Sequence, residues 1–315
     1  MIRQRIAANG LVVKIKIDHA MKRNLPLATC AIVAALITSA SATVTMDWVS
    51  IGNVNNAADT TGYGAVDHAY RIGKYEVTNA QYGEFLNAKG QSNANGIYNS
   101  NMPSYGITQS GISGSFSYTV TTALANRPVV LVSWFDATRF ANWMANGQGN
   151  ASMETGAYTL NNATSGIITA NIGAQVYLPS ENEWYKAAYY IAANASYSLY
   201  PNGQNTIGVS NANYGLSFHV TSPVGSYSGA SAYGTFDQGG NVWEWNDAVV
   251  NSAHAYRGGS AMSLESHLGS SFSISNVPPD NENSAVGFRL AAVPEPTSII
   301  LSMLAGGMML IRRKR

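Results

Sequence analysis

The chain has a single cysteine, Cys30, and it lies inside the apolar run of an export signal. Met21-Lys22-Arg23 supplies a short basic region, residues 25–37 an apolar segment, and Ala40-Ser41-Ala42 an A-x-A exit. Together these make a secretory signal peptide. Cleavage is expected after Ala42, with residues 1–42 as leader and signal peptide. The exported chain then carries no thiol. A disulfide framework is excluded, and a domain over residues 43–292 must hold its fold by packing alone.

The far end of the sequence reads as a second address. Val293-Pro294-Glu295-Pro296 precedes an uncharged stretch over residues 297–311, and Arg312-Arg313-Lys314-Arg315 follows. As a helix those residues rise about 1.5 Å each and reach about 22 Å, short of a hydrocarbon core of about 30 Å. Such a segment is a marginal transmembrane helix, with its cations held on the cytoplasmic side. Residues 293–315 resemble a PEP-CTERM sorting tail, and that resemblance implies removal by an exosortase after transient anchoring in the membrane. The expected location is the cell envelope or surface.

Removing both ends inverts the electrostatics. Residues 43–294 keep eight Lys/Arg against fifteen Asp/Glu, a formal charge of −7. Nucleic acid is excluded as a partner, since its binding rests on Lys/Arg neutralising phosphates. An acidic extracellular domain suits divalent cations instead.

Local signals point to α+β architecture with much irregular chain. Three hydroxyl residues each have a partner three positions on: Thr78 with Gln81, Ser133 with Asp136, Ser180 with Glu183. Each pair can satisfy orphan N–H groups at a helix start, and the apolar residues that follow at i, i+3 and i+4 spacing face a core. Extended segments are predicted over residues 70–75, 127–132, 176–178 and 287–292. Residues 91–126, polar and rich in Gly and Ser, predict a surface insertion or hairpin.

Six blocks in order carry a family resemblance: Tyr75-Glu76-Val77-Thr78-Asn79; Pro128-Val129 through Val132-Ser133-Trp134; Leu178-Pro179-Ser180-Glu181; Gly240-Asn241-Val242-Trp243-Glu244-Trp245; Arg257-Gly258-Gly259-Ser260; and Gly287-Phe288-Arg289. The chain resembles the formylglycine-generating enzymes, or sulfatase-modifying factors, over about residues 47–292. The resemblance implies a single α+β domain related to C-type lectin-like folds. It also implies copper held by two cysteine thiolates, whose places fall near Ser263 and Leu268. Neither residue is a thiolate, and soft Cu(I) needs soft sulfur ligands, so copper is not expected. Met262 nearby is expected to fill the core. Family relatives such as the ergothioneine sulfoxide synthases use a histidine-held iron, but His68, His219, His254 and His267 show no spacing that pairs them on one helix face.

The resemblance also implies a calcium site at Asn241, Val242 and Glu244, through side-chain oxygens and main-chain carbonyls, which suit this hard ion. The other reading is a turn at Asn241 and pairing of Glu244 with Arg257 or Arg289. A second calcium site looks degraded, with Asn213 in place but Leu216 where an Asp belongs. Ser263, Glu265 and His267 would share one face of a strand, which alone does not make a catalytic triad. Trp134, Trp143, Trp184, Trp243 and Trp245 are expected in the core, and Tyr189, Tyr190, Tyr197 and Tyr200 in buried packing. The sequence thus predicts a surface binding or structural module whose partner is an extracellular polysaccharide or envelope protein. The alternative is an oxidoreductase with a different metal site.

Overall fold

The computed structural model describes residues 43–216 and 220–294. The expected signal peptide, residues 295–315 of the expected sorting tail and His219 lie outside them. Three α-helices form where the hydroxyl signals stand: α1 (Asn79–Lys89), α2 (Trp134–Ala145) and α3 (Glu181–Tyr189). Each opens with a complete capping box. Thr78, Ser133 and Ser180 accept from the main chain of Gln81, Asp136 and Glu183, and those side chains answer the cap N–H. Two orphan donors are thereby satisfied at each start.

Two four-stranded sheets carry the fold. In the first, β1 (Trp48–Ile51), β2 (Tyr70–Gly73), β12 (Ala291–Ala292) and β5 (Val176–Tyr177) lie in that order, all antiparallel. The second runs β10 (Ile274–Val277), β9 (Ala253–Arg257), β8 (Trp243–Val250), β11 (Val286–Phe288), with β11 parallel to β8. A bulge between Asn246 and Val249 interrupts the β8–β9 register. Small hairpins pair β3 (Ile107–Ser110) with β4 (Ser117–Val120) and β6 (Tyr190–Ile191) with β7 (Ser196–Tyr197). The first of these hairpins occupies the polar stretch 91–126.

Aromatic side chains weld α1, α2 and β11 together. Tyr82, Phe85, Phe140, Trp143 and Phe288 form one cluster with ring centroids 5.4–6.5 Å apart. Each such ring, fully buried, contributes about 1.5–3 kcal/mol from its apolar area. All five expected tryptophans are buried. Tyr189, Tyr190 and Tyr200 are buried as well, and Tyr197 is half-buried against Tyr185 and Tyr190.

Two strand expectations need correction. Residues 127–132 make only an isolated bridge, Thr78 to Pro128. Pro128 has no N–H for a ladder, and Leu131 turns the chain with φ +60°. Residues 287–292 are not one strand either. They split between β11 of one sheet and β12 of the other, and Arg289 stands at the crossing. Among the described residues no helix is long and apolar enough to cross a membrane.

Candidate functional site

The turn leading into β8 is built on Asn241, whose φ of +60° is the left-handed conformation that Asn tolerates better than most residues. Its main chain is fastened to three neighbouring segments: Gly240 N–H to Gly258 O at 2.9 Å, Asn241 N–H to Asn213 O at 2.8 Å, and Ala261 N–H to Asn241 O at 3.0 Å. The side chain is equally engaged. Oδ1 accepts from the Ser222 N–H at 2.9 Å, and Nδ2 donates to Glu76 Oε1 at 3.0 Å.

Glu244 is fully buried one strand position past Trp243. Arg289 Nε donates to its Oε2 at 2.6 Å and Arg289 Nη2 to its Oε1 at 2.6 Å, while Trp184 Nε1 adds a third bond at 2.7 Å. Of the two arginines that could pair with Glu244, the partner is therefore Arg289. Arg257 instead grips Glu181 and the carbonyls of Ser270 and Phe272. A calcium ion ligated by Glu244 has to compete with a bidentate guanidinium.

Around this pair the interior is over-supplied with acid. Glu76 and Asp237 are buried within electrostatic reach of Glu244 and Arg289. Glu76 Oε2 has no hydrogen-bond partner. Burial, then the charges of Asp237 and Glu244, pushes the Glu76 carboxyl well above the usual range. Burial likewise raises Asp237 to about 6, against the Gly225 N–H that its carboxylate accepts at 2.5 Å. The orphaned oxygen and the hard donor set fit a cation. Among the described residues, however, no group of three His, Cys, Asp or Glu is arranged to hold a metal, so main-chain carbonyls would have to complete any shell. Sequence reasoning missed Glu76 and Asp237. The available signal was a carboxylate set between the apolar neighbours Tyr75 and Val77.

Ser263 and Leu268, near which the resemblance puts the family's thiolates, converge. A Cβ on Gly259 would meet Leu268 Cδ1 at 2.7 Å and Ser263 Cβ at 3.3 Å, so both side chains close on one glycine. Leu268 packs with Tyr200 and Ala212, and Ser263 Oγ accepts from the Ser260 N–H at 2.8 Å. Glu265 and His267 do not join Ser263 in a triad. They lie on a 3₁₀ turn, not a strand; Glu265 accepts from Tyr200 Oη, and the His267 ring rests on Phe272. Met262 is half exposed rather than core, because the tight turn from Ser260 to Ser263 directs it outward. Asn213 donates to Val220 O and Asn241 Oδ1, and Leu216 is exposed.

The described histidines stay apart. His254 is buried and stacked on Trp134 at 4.0 Å, with Nδ1 toward Ala248 O at 3.0 Å and Nε2 unpartnered. His68 bridges Asp67 at 2.8 Å and Glu183 at 3.1 Å.

Comparison with known proteins agrees with this scaffold. The hercynine oxygenase of Mycobacterium tuberculosis is 29% identical over 192 residues, 58% of this chain and 38% of that protein. The hercynine oxygenase of Mycolicibacterium thermoresistibile is 28% identical over 195 residues, 58% of this chain and 36% of its own length. The chain thus spans well under half the length of these relatives. Among solved structures, Treponema denticola variable protein 1 superposes with a TM-score of 0.54 at 22% identity, covering 80% of this chain and 98% of that one. CarF does so with a TM-score of 0.52 at 24% identity, covering 80% and 99%. At that identity they speak for the fold alone. The family description "Sulfatase-modifying factor enzyme 1-like domain" matches residues 39–293, and the chain belongs to that family.

Proposed function

We propose that the chain is an exported binding or structural module of the cell envelope, built on the sulfatase-modifying-factor scaffold and without formylglycine-generating activity. One observation carries the reading. The two positions that close on Gly259 offer a hydroxyl and an isobutyl group where copper needs two thiolates, and residues 43–294 contain no cysteine. The ligand is an extracellular polysaccharide or an envelope protein. Support for the location comes from the signal at residues 21–42 and the tail over 293–315, which an exosortase would remove after residues 297–311 anchor the chain transiently.

Calcium is the proposed ion. Val242 with the turn around Asn241 supplies main-chain oxygens, and Glu76 and Asp237 supply carboxylates that Arg289 does not saturate. Glu244 then serves the fold through Arg289. A glycan array probed with the full-length chain in detergent, first with calcium and then with chelator, tests this function. Binding of a defined set of saccharides supports it; turnover of a cysteine peptide to formylglycine without any saccharide binding overturns it.

The second reading is an oxidoreductase with a different metal site, favoured by the likeness to the two hercynine oxygenases. Iron or copper retained at stoichiometric level through purification would favour it.

A further inference from the structure

A cleft of about 530 Å³ opens between the loop after β1 and the start of α3. Its size falls within the range of small-ligand sites, about 300–1,000 Å³. Its walls carry the side chains of Asn55, Asn56, Asp67, His68 and Asn182, with Ser180 at the helix cap. The lining holds no lysine, arginine, phenylalanine, tyrosine or tryptophan, its one ring is the His68 imidazole, and its apolar share is Ala65 and Val66. Such a lining is a poor match for a phosphate-rich ligand, which needs cations, and for a lipid or planar cofactor, which needs apolar area.

What the walls offer is set by which polar atoms are already spent. His68 uses both ring nitrogens internally, Nδ1 on Asp67 and Nε2 on Glu183. The Glu183 bond, with that of Asp67, raises the imidazole to about 9, so the ring is a cation at neutral pH. It neutralises the buried Glu183 and has no N–H left for a ligand. Asp67 gives Oδ1 to His68 and keeps Oδ2 open, on a side chain 88% exposed. From the start of α3, Asn182 spends Oδ1 on the Gly64 N–H at 2.9 Å and keeps both amide hydrogens. The Asn55 amide has no hydrogen bond among the described residues. The cleft thus presents side-chain amide donors together with a carboxylate acceptor.

The back of the cleft, at Asn56 and Gly64, is also fixed before any ligand arrives. Asn56 Nδ2 donates to Gly64 O and to Tyr197 Oη, both at 2.7 Å, and its Oδ1 accepts from the Val66 N–H at 3.3 Å. Gly64 has φ +91°, and a Cβ there would lie 2.6 Å from Tyr197 Oη. Only glycine lets the loop sit this close to α3. Preorganised walls reduce the ordering cost of binding.

We propose that this cleft is a saccharide subsite, selective for uncharged sugars, in which a pair of neighbouring hydroxyls donates to Asp67 and accepts from the amides of Asn55 and Asn182. A sugar hydroxyl is both donor and acceptor, which is the pairing that a carboxylate and amides in one cleft call for. A uronate or sulfated sugar is disfavoured because its charge meets Asp67 while His68 is already neutralised. This assignment rests on the saccharide-binding reading above and adds its location and its charge preference.

The test uses an array of neutral oligosaccharides and their uronate counterparts, probed with the full-length chain in detergent and with Asn55→Gly and Asp67→Asn. Both positions are exposed; Asn55 takes φ +61°, which glycine adopts without strain, and the melting midpoint of each variant is compared with the wild type so that loss of binding is not read from a displaced loop. The expected result is binding to neutral sugars over uronates, about five- to tenfold weaker binding for each variant, and loss of the charge discrimination in Asp67→Asn. If neutral sugars bind and both variants match the wild type, the cleft is the wrong place and the module's function stands. If the wild type prefers uronates, the charge argument is wrong. If no saccharide of either charge binds, the saccharide-binding reading fails and this subsite with it.

Discussion

Glu244 and Arg289 face each other across the seam of the two sheets, joined by two hydrogen bonds of 2.6 Å with neither side chain exposed. The same guanidinium donates to Gly73 O at 2.9 Å and Phe236 O at 2.8 Å, so it also ties β2 and the 236 loop to β8. Removing one partner strands a buried charge. Arg289→Met should cost about 3–5 kcal/mol, read by urea denaturation. The double variant with Glu244→Gln should recover part of that loss, because the uncompensated carboxylate is gone. Additive losses would show that the pair is not coupled.

The calcium proposal predicts different melting curves with the ion and with chelator. An ion that binds only the folded state stabilises it by about 2.7 kcal/mol at a hundred times Kd, enough to move the midpoint by several degrees. Glu76→Gln should abolish that response and leave the chelated midpoint near the wild-type value, since the buried Glu76 carboxyl holds its proton without the ion. Superimposed wild-type curves would remove calcium from this protein.

Stability should depend on pH in two opposed ways. Burial raises Asp247 from 3.8 to about 7, with the charge of Glu183 adding to it, and Oδ1 lacks a partner. A carboxyl raised on folding contributes fully below its unfolded value and loses that contribution as pH climbs to about 7. Asp247→Asn should therefore stabilise the protein at pH 8, by up to roughly 4 kcal/mol, and change little near pH 4. His254 runs the other way. Burial lowers it from 6.5 to about 4, so its contribution is full above 6.5 and lost as pH falls toward 4. His254→Gln should flatten that acid limb in denaturation curves taken at pH 4, 5 and 6.5.

Convergence on Gly259 makes the proposed lack of a copper site testable. Wild-type protein should leave Cu(I) with a competing chelator, whereas Ser263→Cys with Leu268→Cys should withdraw one equivalent. Leu268 is buried, and its truncation costs about 2–3 kcal/mol, so folding is checked by circular dichroism before titration. A folded double variant with no copper affinity would mean that the two positions do not face each other as required.

Helix starts were the most legible part of this fold, because a capping box is a local arrangement of four residues and needs no partner from afar. Strands were less so. The segment around Arg289 looks continuous in sequence and is divided between two sheets, a division fixed by what Glu244 and Gly73 demand of one guanidinium. Nothing local marks β8 and β9 as the longest ladder, since Trp243, Glu244 and Trp245 are buried on both faces and lose the polar alternation of a half-exposed strand. The same limit hid the acidic centre. Glu76, Asp237 and Glu244 come from three separate segments, and only the fold shows that they gather around one arginine, which pairs with Glu244 alone.

The place of β12 carries a mechanical consequence. This two-residue strand lies between β2 and β5, and Val293 beyond it is held by Gln175 O through its N–H and by Arg71 through its carbonyl. Any tension arriving through the residues after Val293 is taken up along the strand axis and divided between two flanking ladders. Hydrogen bonds loaded in this direction must shear together rather than unzip one at a time. A module tethered at this end would transmit a pull on its anchor straight into the middle of a sheet.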